Sequence, residues 1–257
     1  MNILEKICKN KSQEIKDLKS SVNYKNKIKI TRRRSFLKNL IKEKKNRFNL
    51  IAEIKKSSPS KGEICKIFDP IKIAREYEEA GASCLSILTE RKFFDGEISY
   101  IQKVKEKVKL PILRKDFIID EWQIYESYFF GADCILLILA ILDDKTVQQF
   151  YNISKELGLD VIIEIHDLSE LNRAKKLNVN CIGINNRNLK TLNVDINNFK
   201  KLVKEIPKDV IKLCESGLNT NAELRDLSEY GADGFLVGES LMASKNVKLK
   251  TIELIKK

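Results

Sequence analysis

Five polar side chains stand at the carboxyl ends of otherwise apolar runs in this sequence. They are Glu53, Lys55, Lys115, Glu164 and Asn185. If those runs are strands of one parallel sheet, their carboxyl ends meet on one side of the fold. Two carboxylates and two ammonium groups gathered there can supply a general acid and a general base, because each sign of charge favours the ionised form of the other. The sequence therefore predicts acid–base chemistry at this place.

Two glycine-bearing segments follow the last two apolar runs, Glu215-Ser216-Gly217 and Gly238-Glu239-Ser240. In α/β barrels the backbone N–H groups after the last two strands, together with the start of a short helix, commonly hold a phosphate group. A glycine after one strand is usually only a turn. The pair of them predicts a phosphate site beside the acid–base groups.

The elements that position these residues are eight short apolar runs that alternate with amphipathic segments. The runs are Leu50–Lys55, Cys84–Glu90, Pro111–Phe117, Cys134–Leu142, Asp160–His166, Cys181–Asn186, Val210–Gly217 and Gly234–Ser240. This alternation is typical of parallel strands joined by crossover helices. The 209 residues that follow residue 48 (257 minus 48) give about 26 residues for each of eight units. We predict an α/β fold, a (β/α)8 TIM barrel over residues 49–257.

Residues 1–48 form an N-terminal extension of the same predicted domain. Apolar residues recur at helical spacing at Ile3 and Ile7 and again at Ile15 and Leu18, and a basic stretch from Arg32 to Lys45 follows. This pattern predicts short helices ahead of the barrel.

Three predicted helices end in the same Gly-Ala pair, which reveals an internal repeat. Gly81 and Gly131 are 50 residues apart, Gly131 and Gly231 are 100 apart, and Asn178 lies near the midpoint. Glycine and asparagine both tolerate the left-handed backbone that ends a helix. A period of two βα units favours a barrel of equivalent units. An open doubly wound sheet remains the alternative.

Composition excludes several classes of protein. The chain is 43% hydrophobic, which is enough for a core, and its longest apolar run has nine residues, too few to span a membrane. Lys and Arg number 48 against 36 Asp and Glu, so the net charge is +12. Such a charge fits a phosphorylated metabolite, an anionic surface or nucleic acid as the partner, or simply a well-solvated surface.

The cysteines and the single histidine argue against a metal site. None of the six cysteines forms a C-x-x-C pair, and His166 is the only histidine. We interpret His166, on the same strand face as Glu164, as a hydrogen-bonding residue behind the site rather than as the base. Phosphate-loop and dinucleotide motifs are absent. We expect no metal or nucleotide cofactor, and, because no secretory signal is apparent, a cytoplasmic protein with reduced cysteines.

Several motifs resemble those of the indole-3-glycerol phosphate synthase family, a tryptophan-pathway family. The strand 1 segment Ile51-Ala-Glu-Ile-Lys-Lys-Ser-Ser-Pro-Ser-Lys-Gly62 and the strand 3 segment Pro111-Ile-Leu-Arg-Lys-Asp-Phe117 carry the most specific likeness. The resemblance continues in order through Leu88-Thr-Glu90, Ile163-Glu-Ile165, Gly183-Ile-Asn-Asn-Arg187, Glu215-Ser-Gly217 and Val237-Gly-Glu-Ser-Leu-Met242. It implies ring closure of 1-(2-carboxyphenylamino)-1-deoxyribulose 5-phosphate, with loss of CO2 and water.

The resemblance also implies roles for the five polar strand-end residues. Lys115 matches the general acid, which Glu53 assists, and Glu164 matches the general base. Lys55 and Asn185 match positions that orient polar groups of the substrate. Arg114, next to Lys115, is expected to face away from the site, because adjacent strand residues point to opposite sides.

The remaining predicted site residues match substrate-binding positions of the family. Phe94 and Phe117 match the walls around the aromatic ring, Ser58 lies in the loop after strand 1, and Arg187 faces charged parts of the substrate. The resemblance assigns the phosphate to Ser216, Gly217, Gly238 and Glu239. For Glu239 we expect only the backbone N–H to take part, because its carboxylate would repel a phosphate.

Two other functions are alternatives to this one. A sugar-phosphate isomerase with the same fold is expected to use a Cys and Asp pair at its strand ends, where this chain has Glu53 and Lys55. A nucleic-acid-binding protein would use the basic stretch, but no recognisable module accompanies it. We therefore expect a small phosphorylated substrate as partner, no nucleic acid, no membrane, a monomer, and other pathway enzymes as separate chains.

Overall fold

Eight parallel strands close into a barrel in a computed structural model that describes residues 1–42 and 46–257. The strands are β1 (Leu50–Ile54), β2 (Cys84–Leu88), β3 (Ile112–Lys115), β4 (Cys134–Ile138), β5 (Asp160–Ile165), β6 (Cys181–Asn185), β7 (Ile211–Glu215) and β8 (Gly234–Val237). Each strand pairs with the next along the chain, and β8 pairs with β1, where Val237 lies opposite Ala52. The predicted (β/α)8 barrel is confirmed.

Helices cover the outside of the barrel and both of its ends. They are α1 (Ile3–Ser21), α2 (Phe36–Leu40), α3 (Pro70–Ala80), α4 (Arg91–Phe94), α5 (Ser99–Lys105), α6 (Glu121–Phe129), α7 (Asp144–Glu156), α8 (Leu168–Ala174), α9 (Asn197–Leu202), α10 (Asn221–Glu229), α11 (Glu239–Met242) and α12 (Val247–Ile255). Short 3-10 turns span Tyr24–Asn26, Leu139–Ile141, Lys175–Leu177 and Val203–Glu205. A small hairpin in the loop after β1 pairs Ser57–Ser58 with Gly62–Glu63. No helix within the described ranges is long and apolar enough to cross a membrane.

The strands begin where the sequence predicts, but they end earlier. Every predicted start is within one residue of the observed one, whereas the predicted ends lie one to four residues too far along the chain. The largest difference is at β4, where Leu139–Ile141 leave the ladder as a 3-10 turn. At β8 the chain turns at Gly238 into α11. At β4 the apolar residue after the strand, Leu139, is still buried, so hydrophobicity does not mark the last ladder hydrogen bond there.

The predicted helix-ending residues adopt the left-handed backbone. Gly81, Gly131 and Gly231 have φ angles of 94°, 95° and 109°, and Asn178 has a φ of 48°. Each stands shortly before an even-numbered strand. The repeat of two βα units read from the sequence is therefore present in the backbone.

One end of the barrel is closed by α2 and the residues before it. The Leu37 N–H donates to Asp160 at the start of β5 (3.0 Å), and Phe36, Leu37 and Leu40 pack into the core inside the strands. The guanidinium of Arg34 donates to the backbone carbonyls of Lys105, Val108 and Leu110 at 2.8 to 3.0 Å. These contacts place α2 and the residues just before it beneath the amino ends of the strands.

The extension differs from its prediction in one respect. We expected short helices, but α1 is a single helix of 19 residues whose buried face carries Leu4, Ile7, Lys11 and Ile15. The boundary at residue 48 stays a prediction. Of the predicted basic stretch, residues 43–45 lie outside the described residues.

Candidate active site

A cavity of about 450 Å³ opens at the carboxyl ends of the barrel strands, and all thirteen predicted site residues line it. Its size is that of a small-molecule site. The residues predicted to be catalytic are Glu53, Lys55, Lys115, Glu164 and Asn185, and those predicted to bind substrate are Ser58, Phe94, Phe117, Arg187, Ser216, Gly217, Gly238 and Glu239. The structure thus brings together residues that are spread over 187 positions of the chain, from 53 to 239 (239 minus 53, counted inclusively).

An ion pair between Lys115 and Glu164 lies at the centre of the cavity. The Lys115 Nζ ends 2.9 Å from Oε2 of Glu164, although the two residues come from β3 and β5. Burial alone would lower the pKa of Lys115, but the charges of nearby carboxylates, Glu164 first, outweigh it and raise that pKa. Burial alone would raise the pKa of Glu164, but Lys115 and His166 outweigh it and lower that pKa. At neutral pH the pair is an ammonium facing a carboxylate.

A second ion pair lies at the end of β1. The Lys55 Nζ is 2.8 Å from Oε1 of Glu53, and Ser86 on β2 donates to Oε2 of Glu53 at 3.4 Å. The hydroxyl of Tyr77, fully buried on α3, donates to the backbone carbonyl of Glu53 at 3.1 Å. These contacts hold Glu53 in place on the wall of the cavity.

Asn185 links the central carboxylate to the loop after β6. Its side-chain amide donates to Oε1 of Glu164 at 3.2 Å, and its side-chain oxygen accepts the N–H of Arg187 at 2.9 Å. The Asn185 side chain therefore joins the Glu164 carboxylate to the backbone that carries Arg187.

His166 lies beside Glu164, and its own hydrogen bonds are to Glu170. The His166 Nε2 is 3.3 Å from Oε1 of Glu164, at ion-pair distance but without hydrogen-bond geometry. The Glu170 carboxylate accepts the backbone N–H of His166 (2.7 Å) and contacts its Nδ1 (3.0 Å). Burial alone would lower the pKa of His166, but the two carboxylates raise it to about 9.

Glu215 is the residue of the site that sequence reasoning left without a role. It ends β7 with 1% of its surface exposed, its Oε2 is 3.7 Å from the Lys115 Nζ, and neither of its oxygens has a hydrogen-bond partner among the described residues. Burial, with repulsion from Glu164 and Glu53, raises its pKa despite the nearby lysine. A charged residue at the end of an apolar run was the available signal, but we interpreted that segment only as a phosphate turn.

The predicted phosphate end has a left-handed backbone at two residues and close neighbours at two glycines. Ser216 and Gly217 both have left-handed backbones, with φ angles of 67° and 81°. A Cβ atom on Gly217 would lie 2.4 Å from Val194, and one on Gly238 would lie 2.3 Å from Oε1 of Glu53. The two glycines thus leave room beside the backbone N–H groups that we predict to hold a phosphate.

The Glu239 carboxylate lies between two cations at the same end. Its oxygens are 3.4 Å from the Arg187 guanidinium and 3.6 Å from the Lys61 Nζ in the loop after β1. Arg187 also donates to the carbonyl of Leu192 at 3.0 Å. The sequence prediction considered only the backbone of Glu239, whereas its side chain neutralises cations that face the cavity.

The opposite end of the cavity is apolar. The rings of Phe94 and Phe117 lie 6.2 Å apart between their centroids. From the other side Ile3, Leu4 and Ile7 of α1 line the cavity, a contribution that sequence reasoning missed. Their helical spacing was visible in the sequence, but it does not say which part of the barrel the helix covers. The two ends of the cavity differ in chemistry, one suited to a flat apolar group and the other to an anion.

No three His, Cys, Asp or Glu side chains in the described portion of the chain are grouped so as to hold a metal ion. The six cysteines are all free thiols, and four of them are buried.

Comparisons with known proteins agree on one family. The model of the family described as indole-3-glycerol phosphate synthase matches residues 4–254. An indole-3-glycerol phosphate synthase of Thermoanaerobacter pseudethanolicus is 46% identical over 243 residues, which cover 93% of this chain and 92% of that protein. One of Caldanaerobacter subterraneus is 45% identical over 256 residues, covering 99% and 98%.

Solved structures are similar in fold at much lower identity. A 3-hexulose-6-phosphate synthase from Salmonella typhimurium matches with a TM-score of 0.65 and 12% identity, over 80% of this chain and 96% of that one. An N-acetylmannosamine-6-phosphate 2-epimerase from Clostridium perfringens matches with a TM-score of 0.59 and 19% identity, over 75% and 86%. At these identities the likeness concerns the barrel alone.

Proposed function

Because the chain belongs to the indole-3-glycerol phosphate synthase family, we propose that its cavity converts 1-(2-carboxyphenylamino)-1-deoxyribulose 5-phosphate to indole-3-glycerol phosphate. The aromatic carbon that bears the carboxylate forms a bond to the ketone carbon, and the ketone oxygen takes up a proton to become a hydroxyl. CO2 then leaves from the aromatic carbon. The hydroxyl leaves as water together with a proton that the base removes from the neighbouring CH2 carbon. This makes the protein a carbon–carbon lyase. The observation that carries the proposal is the 2.9 Å contact between Lys115 and Glu164 inside one cavity.

Lys115 is the proton donor in this proposal. As the new carbon–carbon bond forms, the ketone oxygen gains negative charge and needs a proton. The carboxylates around Lys115 raise its pKa, so it carries that proton at neutral pH. Glu53, at the end of β1, assists because its charge is one of those that raise the pKa of Lys115. Lys55 lies beside it and can orient the polar groups of the sugar chain.

Glu164 is the base for the dehydration step. While Lys115 is charged, its proximity lowers the pKa of Glu164 and keeps the carboxylate a weak base. Once Lys115 has given its proton away, that stabilising charge is gone and Glu164 becomes more basic. Proton donation by Lys115 therefore prepares Glu164 to accept a proton from the ring-closed intermediate.

The two ends of the cavity orient the substrate between these groups. We place the aromatic ring between Phe94, Phe117 and the apolar side chains of α1. We place the phosphate at Ser216, Gly217 and Gly238, near the cations that pair with Glu239. Binding at both ends fixes the reacting carbons beside Lys115, which is how positioning lowers a barrier.

We also propose a cytoplasmic location, which the free cysteines support, since disulfides form mainly in oxidising compartments.

The direct test is to incubate the purified protein with the carboxyphenylamino sugar phosphate and follow indole fluorescence together with release of CO2. We expect both signals in equal amounts. In Lys115→Met we expect kcat to fall by about 10²- to 10⁴-fold with a smaller change in KM, as for loss of a general acid. Glu164→Gln should lose a similar factor and accumulate the ring-closed intermediate.

Lys248→Met is the matched control, because Lys248 makes an ion pair with Glu79 at the surface, outside the cavity. It should keep the kcat of the wild type. Absence of indole product from the wild-type protein would rule out the proposed activity, and unchanged turnover in Lys115→Met would remove Lys115 from the mechanism.

A further inference from the structure

The buried face of α1 contains a lysine where an apolar residue is expected. Leu4, Ile7, Lys11 and Ile15 recur at helical spacing and are all buried, and Lys11 is only 3% exposed. Burying an ammonium group is costly unless it is paired. Its partners therefore indicate what the position does.

Lys11 reaches the end of β3, next to the central pair of the cavity. Its Nζ is 3.2 Å from Oδ1 of Asp116, a fully buried side chain, and 2.9 Å from Glu14 on its own helix. Asp116 is the residue between Lys115 and Phe117. The Lys11 side chain thus binds the short segment that presents both the proton donor and the aromatic wall.

Asp116 holds the backbone of that segment through several hydrogen bonds. Its Oδ1 accepts the N–H of Phe117 at 2.8 Å, and its Oδ2 accepts the Thr89 hydroxyl at 2.6 Å and the Arg114 guanidinium at 3.1 Å. The charges of Lys11 and Arg114 outweigh the effect of burial and lower its pKa. Asp116 is therefore an ionised, fixed anchor for whatever binds it.

The same helix face continues from Lys11 into the wall of the cavity. Ile7 lies one turn before Lys11 and Leu4 lies two turns before it. Both line the cavity and belong to the same apolar cluster as Phe117. The contact between Lys11 and Asp116 therefore joins the two sides of the apolar end, one from α1 and one from β3.

We propose that Lys11 is a positioning residue that sets the separation between α1 and the end of β3, and thereby the slot for the aromatic ring of the substrate. The inference rests on the proposed function and adds a specific residue to it. Lys11 touches no reacting atom. It acts through Asp116, on the wall at Phe117 and on the backbone that bears Lys115.

Other contacts dock α1, so loss of Lys11 need not release the helix. Lys19, near the opposite end of α1, pairs with Asp120 at 2.9 Å, and Trp122 donates to the carbonyl of Val22 at 2.7 Å. Arg114 remains to neutralise Asp116 in the absence of Lys11. A variant at position 11 is therefore expected to shift the helix locally while the barrel stays folded.

The test compares Lys11→Met with Lys19→Met, two losses of an ion pair on one helix. The measurements are kcat, KM and the inhibition constants of 2-aminobenzoate, a probe of the aromatic slot, and of inorganic phosphate, a probe of the other end. For Lys11→Met we expect kcat/KM to fall about tenfold or more and 2-aminobenzoate to bind correspondingly weaker, since small displacements of a wall cost large factors in rate. Phosphate should bind within about twofold of the wild type, and Lys19→Met should match the wild type throughout.

If 2-aminobenzoate and phosphate both bind equally more weakly to Lys11→Met, the whole cavity has loosened and the proposal is wrong. Wild-type kinetic and inhibition constants in a folded Lys11→Met protein would also overturn it. If circular dichroism shows that Lys11→Met is unfolded, the kinetic and inhibition constants are measured in Lys11→Gln instead. That variant keeps a polar group for Asp116 but no charge. If neither variant folds, Lys11 is a folding determinant and the positioning role is rejected. If the wild type binds 2-aminobenzoate but does not turn over the substrate, the proposed function fails while the Lys11 comparison still stands on binding.

Discussion

Two carboxylates near Lys115, those of Glu164 and Glu215, show how residues of one cavity acquire different protonation states. Glu164 touches the lysine at 2.9 Å, and its pKa is lowered. Glu215 is 3.7 Å from the same ammonium, has no hydrogen-bond partner among the described residues, and its pKa is raised. The two distances to Lys115 differ by less than 1 Å. That difference, with the lack of hydrogen bonds to Glu215, distinguishes an ionised carboxylate from a carboxyl group that keeps its proton.

A pH series can test the protonation of Glu215. Because its pKa is raised above the ordinary value of 4.5, the folded protein holds a proton that the unfolded chain releases above about pH 4.5. The contribution of Glu215 to stability is therefore complete below that pH and is lost as the pH rises. We expect Glu215→Gln, which resembles the protonated side chain, to gain stability relative to the wild type between about pH 5 and pH 9.

Urea unfolding at each pH measures this difference. Glu253→Gln, at an exposed position on α12, is the control. Its free energy of unfolding should change with pH in parallel with that of the wild type. A constant difference between Glu215→Gln and the wild type across the range would mean that Glu215 is ionised in the folded protein.

Among the elements, the segment before α2 has a structural task at the end of the barrel away from the cavity. Two of its three consecutive arginines are occupied by the barrel. Arg34 donates to three backbone carbonyls, and Arg33 stacks on Tyr128 at 3.6 Å from the ring centroid. These contacts account for part of the positive charge of the segment, so nucleic-acid binding is not needed to explain it.

Arg34→Met should destabilise the fold without affecting the chemistry. The three carbonyls lose a charged donor, so we expect the free energy of unfolding to fall by about 2–4 kcal/mol. The kcat of the folded enzyme should be unchanged, because Arg34 lies at the opposite end of the barrel from the cavity. Arg32→Met, at an exposed position next in sequence, should leave stability within about 0.5 kcal/mol of the wild type. Chemical denaturation measures the effect on stability, and steady-state kinetics measures the effect on kcat. A loss of kcat in folded Arg34→Met would contradict the prediction that Arg34 affects stability alone.

Local signals predicted some elements well and others only in part. The glycines and Asn178 that end helices were identified because a left-handed residue is a local requirement of the chain. Asp167-Leu-Ser-Glu170 resembles a reciprocal helix cap, and Asp167 does cap α8. Glu170, however, turns to the N–H and ring of His166 instead. Which partner a side chain selects depends on its three-dimensional surroundings, and spacing cannot supply that.

At the scale of the whole molecule, charge favours an anionic substrate. The chain carries a net charge of +12, and the proposed substrate bears a carboxylate and a phosphate. Long-range attraction raises the rate of encounter and is screened by salt. We expect kcat/KM to fall about threefold or more between 20 and 500 mM NaCl, with a smaller change in kcat. Trehalose at matched osmolarity should have no such effect, and a kcat/KM independent of salt would show that the surface charge does not guide the substrate.

The sequence predicted the membership of the site better than its arrangement. All thirteen residues line one cavity because strand ends in a closed barrel must converge. The state of Glu215 and the side-chain contacts of Glu239 could not be predicted, since both depend on distances of a few ångströms between strands or loops that are remote in sequence. The α1 wall was missed for the same reason.

Closure of the barrel by β1 and β8, with Ala52 beside Val237, has a consequence for biosynthesis. A ribosome delivers β1 well before β8, so one edge of β1 has no native partner until β8 emerges. Exposed strand edges invite pairing with other chains. The nascent protein is therefore most prone to aggregate just before its final strand emerges, and chaperone demand should peak in that interval.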